Sequence, residues 1–313
     1  MLPSVLTGSD SRDQNIPHME KNAEIHETEI RRATPEDADI CGRICYEAFT
    51  TISDQHNFAH EFPTPEAGIG LLGMLFSHPG FYCVVAQHKG RIVGSNCVDE
   101  RSTISGIGPI TVAPDVQNRN VGRLLMSAVL DRARERHSPG IRLLQAAYHN
   151  RSLSLYTKLG FESREPMSVM SGPAIKRTIE GCAVRAGEER DIDAADQVCV
   201  RVHGHSRSGE LRDAIAGASL LVVERHGRIT GYSTGFGYFG HAVGESTADV
   251  QALILAADNF SAAGGPGIIV PTRNRDLFLW CLENGLRVIH PMTLMTMGLY
   301  NEPAGAYLPS VTY

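Results

Sequence analysis

The residues best suited to chemistry lie together between Ile107 and His137. A short apolar run over Ile110, Thr111, Val112 and Ala113 reads as a strand, which Pro114 and Asp115 stop. A turn-rich, basic loop follows, Gln117-Asn118-Arg119-Asn120-Val121-Gly122, and leads through Arg123 into a helix with Leu124, Leu125, Ala128, Val129 and Ala133 near 3.6 periodicity. A strand that passes through such a loop into a helix start makes an anion site. The first N–H groups of the helix have no internal partner, and the helix dipole adds partial positive charge. Arg119 and Arg123 add full charges that can hold a phosphate bidentately. Gly122 leaves room for the close approach of a pyrophosphate. A triphosphate loop would end in Gly-Lys-Ser/Thr and a dinucleotide site would carry Gly-x-Gly-x-x-Gly; neither stands here.

The elements around this stretch must hold it. Glu29 to Ala33 reads as a strand, and Thr34-Pro35-Glu36-Asp37 starts a helix, with Thr34 as cap and Pro35 at the first helical position. That helix runs through Ile40, Ile44, Ala48 and Phe49. A polar connector over residues 51–66 precedes a short helix from Gly68 to Phe76. Phe81 to Gln87 and Ile92 to Val98 read as a hairpin across His88-Lys89-Gly90-Arg91. Beyond the loop come a strand from Ile141 to Ala147, a helix from Asn150 to Leu159 and a strand region from Phe161 to Met170.

With the flanks in place, the stretch resembles the acetyl-CoA signature of the GNAT acetyltransferase superfamily, Gln/Arg-x-x-Gly-x-Gly/Ala, on Gln117, Asn120 and Gly122. Asn120 stands where the family usually has glycine; asparagine is the residue that best replaces glycine at positive φ. Asn150 to Phe161 resembles the family's Asn-x-x-Ala-x-x-Leu-Tyr-x-Lys-x-Gly-Phe run, and the Pro-Glu-Asp turn resembles its usual entry. The resemblance covers Glu29 to Gly172. It implies acyl transfer from acetyl-CoA, as cosubstrate and without a metal, to a primary amine by direct attack in a ternary complex.

The resemblance also implies roles. Backbone N–H groups near Ile110, Thr111 and Val112 would hold the thioester carbonyl and pantetheine, with Asn150 as a polar contact to the same arm. Tyr156 would protonate the leaving thiolate; Asn150 is otherwise a natural helix cap and Tyr156 a packed helix tyrosine. His60 or Glu61, in the connector after the first helix, would take the amine's proton. Asp99 and Glu100 are further candidates for that base. His56-x-x-x-His60 and His203-x-His205 invite a metal, but a third ligand is not evident, and solvated loop histidines are the plainer reading.

The second half echoes the first. Arg32-Ala33-Thr34 with DADICGRIC recurs as Arg185-Ala186-Gly187 with DIDAADQVC, and the hairpin VVAQHKGRIVG recurs as VVERHGRITG. The expected phosphate loop is missing there: after a strand near Ser233 to Tyr238, Glu245 and Asp249 stand where basic residues and glycines are needed. The fold class expected is therefore α/β (α+β), with two GNAT-like domains, each a mixed, mostly antiparallel sheet flanked by helices. Residues 1–27 read as a disordered leader, 28–175 as the domain with the acetyl-CoA site, 180–300 as a degenerate copy and 301–313 as a tail that packs back and lines the acceptor cleft.

Composition sets the outer bounds. The chain has 313 residues, 42% hydrophobic and 20% charged, with a net charge of −6. The absence of a sustained basic stripe argues against nucleic acid, and an acidic surface suits cationic substrates. No apolar segment approaches the length of a membrane span. Seven cysteines without a CxxC pair point to free thiols in a reducing, cytoplasmic setting. The acceptor stays open between a small-molecule amine and a protein amine, as does the oligomeric state. The competing class is a noncatalytic acyl-CoA-binding sensor or scaffold, and a further one is an interaction module of two degenerate lobes; amine-dependent thioester cleavage separates them.

Overall fold

The computed structural model describes residues 27–117, 119–257 and 267–312. Its first half runs β1 (Thr28–Arg32), α1 (Ala38–Gln55), α2 (Pro65–Ser77), β2 (Phe81–His88), β3 (Arg91–Asp99), β4 (Ser105–Ile107), β5 (Thr111–Val112), α3 (Val121–Glu135), β6 (Gly140–Ala146), α4 (Asn150–Lys158) and β7 (Glu162–Ser171). The second half repeats that order, with no counterpart of β4 among the described residues, as β8 (Ala183–Ala186), α5 (Ile192–His203), α6 (Ser208–Ala216), β9 (Leu221–Arg225), β10 (Arg228–Ser233), β11 (Ala242–Gly244), α7 (Thr247–Leu255), β12 (Ile268–Pro271), α8 (Arg275–Glu283) and β13 (Arg287–Gly298). One more strand, β14 (Ala306–Leu308), lies in the tail. The expected leader, apart from Glu27, falls outside the described residues.

The repeat extends to single hydrogen bonds. The Thr34 N–H donates to the Asp37 carboxylate at 2.9 Å, and Arg31 clamps that carboxylate with two bonds of 2.7 Å. In the second half the Glu188 N–H donates to Asp191 at 2.8 Å and Arg185 makes the same clamp at 2.6 and 2.9 Å. Each clamp fixes the entry of a helix by satisfying an orphan N–H with a charged acceptor. Both hairpins turn through two positive-φ residues, Lys89-Gly90 and His226-Gly227, the backbone of a type I′ turn.

Helix α1 buries Cys41, Ile44 and Cys45, spaced so that they share one face. It crosses α2 where a Cβ on Gly42 would come within 2.3 Å of the Ile69 Cα, so only glycine lets the two backbones meet there. Both α1 and α3 contact the β2–β3 hairpin and enclose a core that includes Val85, Val93, Leu125 and Val129.

Two sheets organise the described residues. The larger runs β1-β2-β3-β4-β6-β13-β7-β12, with β5 attached to β3; the smaller runs β14-β11-β10-β9-β8. The halves are interleaved in the larger sheet. Strand β13 lies between β6 and β7, antiparallel to both, and β7 lies in turn between β13 and β12. Since β6 corresponds to β12 and β7 to β13, each half lends its last strand to the other.

The tail adds a strand to the second half's sheet. β14 pairs antiparallel with β11, Ala242 opposite Leu308 and Gly244 opposite Ala306. Thr312 then reaches the first half, where its hydroxyl donates to Asp99 at 3.3 Å. The tail packs back, as its apolar residues suggest, on the second half's sheet and against β4 and Tyr238, whose carbonyl accepts from the Val311 N–H at 2.7 Å.

Candidate active site

The site begins where a strand gives up its partner. β4 pairs in parallel with β6, Ser105 opposite Ile141 and Gly106 opposite Arg142. Past Pro109, which has no N–H to donate, β5 pairs with β3 and with no other strand among the described residues. The Ala113 N–H donates to the Val93 carbonyl at 2.9 Å. By strand alternation the N–H and C=O of Val112 therefore point the other way, into the gap between β5 and β6. The Gln117 amide donates to that Val112 carbonyl at 3.2 Å and accepts from Arg151 at 2.9 Å, tying the strand to α4.

The gap opens into a cavity of about 570 Å³, bounded by α1, β5, the start of α3 and α4. Ile110, Thr111, Val112, Gln117, Asn120, Val121, Gly122, Arg123, Asn150 and Tyr156, all read from the sequence, line it. Asn120 has φ 65 and ψ 2, the left-handed conformation that asparagine tolerates best after glycine. The first α-helical bond of α3 runs from the Leu124 N–H to the Asn120 carbonyl at 3.1 Å. The N–H groups of Val121, Gly122 and Arg123 thus have no partner within the helix, and no acid sits in its first turn. A Cβ on Gly122 would make only ordinary contacts, 3.6 Å to Leu155 and 3.8 Å to Val112. Protein packing does not require that glycine, which leaves the approach of a ligand as its use. Arg119 is exposed and close enough to Asp115 to help lower its pKa. Asn118 lies outside the described residues.

Tyr156 is 6% exposed and packs edge-on to Phe161 at 6.2 Å. Burial alone raises its pKa, so at neutral pH it is a phenol with a proton to give. Asn150 opens α4 and is exposed; its carbonyl accepts from the Ser154 hydroxyl at 2.9 Å. His149, beside it, is driven by burial down to about 4 and is neutral.

The two adjacent base candidates part company. Neither lines the cavity; His60 is exposed, with Nε2 2.7 Å from the Asp54 carboxylate. Glu61 is 8% exposed, and no hydrogen bond or ion pair holds its carboxyl among the described residues. Burial alone pushes its pKa up to about 8. Cys45, Tyr148 and Tyr238 lie close enough to feel its charge. The other acids are engaged: Asp99 by Arg101 at 2.6 Å, and Glu100 by Arg132 and Arg136 at 2.7 and 2.8 Å. His203 and His205 are buried, with ring centroids 5.9 Å apart. No group of three or more His, Cys, Asp or Glu among the described residues could hold a metal.

Tyr238, which feels the Glu61 charge, and its partner His290 were not singled out from the sequence. The Tyr238 hydroxyl lies 2.6 Å from Nε2 of His290, and the His290 ring meets the Tyr148 ring edge-on at 6.0 Å. Both come from the second half, and nothing local in the sequence points from them to residue 61.

An open strand edge, a helix start without acids in its first turn and a buried phenol thus meet on one cavity. Residues 45–161 match the model of the Acetyltransferase (GNAT) family. The whole fold of the chain is similar to that of a candidate acetyltransferase from Pyrococcus horikoshii, 18% identical, with 90% of this chain and 94% of that one covered at a TM-score of 0.68. A GCN5-related N-acetyltransferase from Sphaerobacter thermophilus is 15% identical over 88% and 97% of the two chains, at a TM-score of 0.56. A tandem GNAT protein from the clavulanic acid biosynthesis pathway is 12% identical over 87% and 98%, at 0.52. No curated protein matches the sequence. No helix among the described residues is long and apolar enough to cross a membrane.

Proposed function

We propose that the chain transfers an acetyl group from acetyl-CoA to a primary amine by direct attack in a ternary complex. The observation that carries this is the single cavity onto which the α3 start, the free edge of β5 and Tyr156 all open. The N–H groups of Val121, Gly122 and Arg123, with the Arg123 side chain, take the pyrophosphate. The Val112 N–H and its neighbours on β5 take the pantetheine amides as a missing strand would, and hold the thioester carbonyl. Glu61 removes the proton from the ammonium. The amine nitrogen then forms a bond to the carbonyl carbon, the carbon–sulfur bond breaks with its electrons on sulfur, and Tyr156 gives that sulfur its proton; the nitrogen sheds its second proton to solvent, from which the Tyr156 phenolate recovers one.

On this reading residues 28–175 form the catalytic domain, residues 180–300 the second domain and residues 301–313 the tail. All seven cysteines are free, which supports a reducing, cytoplasmic setting. The test is thiol release from acetyl-CoA against a panel of amines, alongside acetyl-CoA binding by calorimetry. Amine-dependent thiol release is expected; tight binding with no turnover on any amine would sink the transfer and leave an acyl-CoA sensor.

A further inference from the structure

Strand β13 carries His290 to the end of β6. The Ala147 N–H donates to the Pro291 carbonyl at 3.1 Å, which sets His290 beside Tyr148. The rings of Phe58 and Tyr148 stack at 4.3 Å, and both meet His290 edge-on, at 6.3 and 6.0 Å. Tyr238 closes the group from the loop before β11, bonded to His290 at 2.6 Å. Glu61 completes it, within electrostatic reach of Tyr148 and Tyr238. Four distant pieces of chain thus bring together one acid, two phenols and one imidazole.

The group is under-satisfied. The Glu61 carboxyl has no hydrogen bond among the described residues, and the fully buried His290 ring has one side-chain partner, Tyr238 at Nε2. Packing alone gains nothing from burying such groups together, since each unpaired polar atom costs free energy. It lies directly behind the cavity wall: Phe49 and Ile52 of α1 face the cavity, Phe49 meets Phe62 edge-on at 5.5 Å, and Phe62 is next to Glu61.

We propose that Tyr238 and His290 are positioning residues for the acetyl transfer: they hold the acceptor's ammonium group against Glu61, so that the second half of the chain completes the first half's acceptor site. This rests on Glu61 as the proton acceptor. Burial keeps His290 neutral, its pKa driven down to about 4, so Nε2 can accept the Tyr238 hydroxyl proton. The Tyr238 oxygen then turns its lone pairs to the rest of the group, where an ammonium can donate to them. The groups that face Glu61 are Cys45 from α1, Tyr148 after β6 and Tyr238; none is charged at neutral pH. One carboxylate, phenol oxygens and aromatic faces suit a cationic amine.

The test uses the full chain with Tyr238→Phe and His290→Gln, and Tyr82→Phe as a tyrosine control away from the group. Tyr238→Phe preserves volume, so it reports even if His290→Gln folds poorly. Acetyl-CoA affinity should stay within about twofold while kcat/KM for the amine falls about tenfold or more, as when one bond to a charged group is lost. The acidic limb of the pH profile should move by about half a pH unit or more. Infrared titration of the carboxyl band that Glu61→Gln removes needs no turnover; its midpoint should shift in Tyr238→Phe and stay put in Tyr82→Phe. An unmoved midpoint together with amine kcat/KM within about twofold of the parent would overturn the proposal. If no amine is turned over at all, the transfer reading fails, and an unmoved Glu61 midpoint then suffices to overturn the positioning role.

Discussion

Leu144 of the first half and Leu294 of the second are direct partners across one antiparallel ladder. On its other side Leu294 faces Glu165, again from the first half. The two halves therefore cannot be parted between residues 171 and 183 without opening the sheet. A fragment of residues 1–175 would leave the ladder edges of β6 and β7 bare, a template for aggregation. It should be insoluble or lack cooperative unfolding in a denaturant titration. A soluble fragment with one sharp transition would show that the interleaving is dispensable.

Tyr156→Phe removes a hydroxyl without changing the packing against Phe161. Turnover should fall by about 10²-fold, the usual scale for a lost general acid, with acetyl-CoA affinity unchanged. Equal turnover in the two proteins takes Tyr156 out of the mechanism.

Glu61 carries a pH signature in both activity and stability. Its pKa is pushed up to about 8, so the base form grows as pH rises through that value and activity should rise with it. For stability the sign is opposite. Between its unfolded value, near 4.3, and its folded value the native chain holds a proton that the unfolded chain has released, so stability falls as pH rises across that window. Glu61→Gln should cut turnover by about 10²-fold or more. It should also raise Tm relative to the parent by more at pH 9 than at pH 5. A Tm difference independent of pH would mean that the carboxyl is not held protonated.

At Asn120 the backbone, at φ 65, makes the forecast. Asn120→Gly should preserve or tighten acetyl-CoA binding. Asn120→Val should cost about 1–2 kcal/mol in chemical denaturation, because a β-branched residue clashes in that conformation, and should weaken binding as the loop shifts. A large loss of affinity in the glycine variant would assign the side chain a ligand contact of its own.

What the sequence makes legible here is local. The loop-to-helix turn at Asn120, the helix entry at Thr34 and the two matching hairpins follow from residue types a few positions apart; the second entry, read as matching at Gly187, lies at Glu188. The existence of a second half built on the same order follows likewise. The partnering of β13 with β6 and β7 does not, because a strand's pattern states which face is buried and not which strand lies alongside. The same limit separates His60 from Glu61. They are neighbours in a polar connector, and only long-range packing leaves one exposed and the other buried near Cys45, Tyr148 and Tyr238. Tyr156 is legible through its motif, whereas Tyr238 has no motif at all.

The tail strand has a stoichiometric consequence. By register, Val112 lies opposite Gly94 as Gly244 lies opposite Gly231, so β11 is the second half's counterpart of β5. In the first half that edge is open to the cavity; in the second it is hydrogen-bonded along its length to β14, with Val243 opposite Tyr307. The chain thus carries its own intramolecular competitor for the second slot, at an effective concentration no free ligand matches. An acetyl-CoA titration should saturate at one equivalent per chain with a simple hyperbolic isotherm, and two copies of one scaffold should show no homotropic cooperativity.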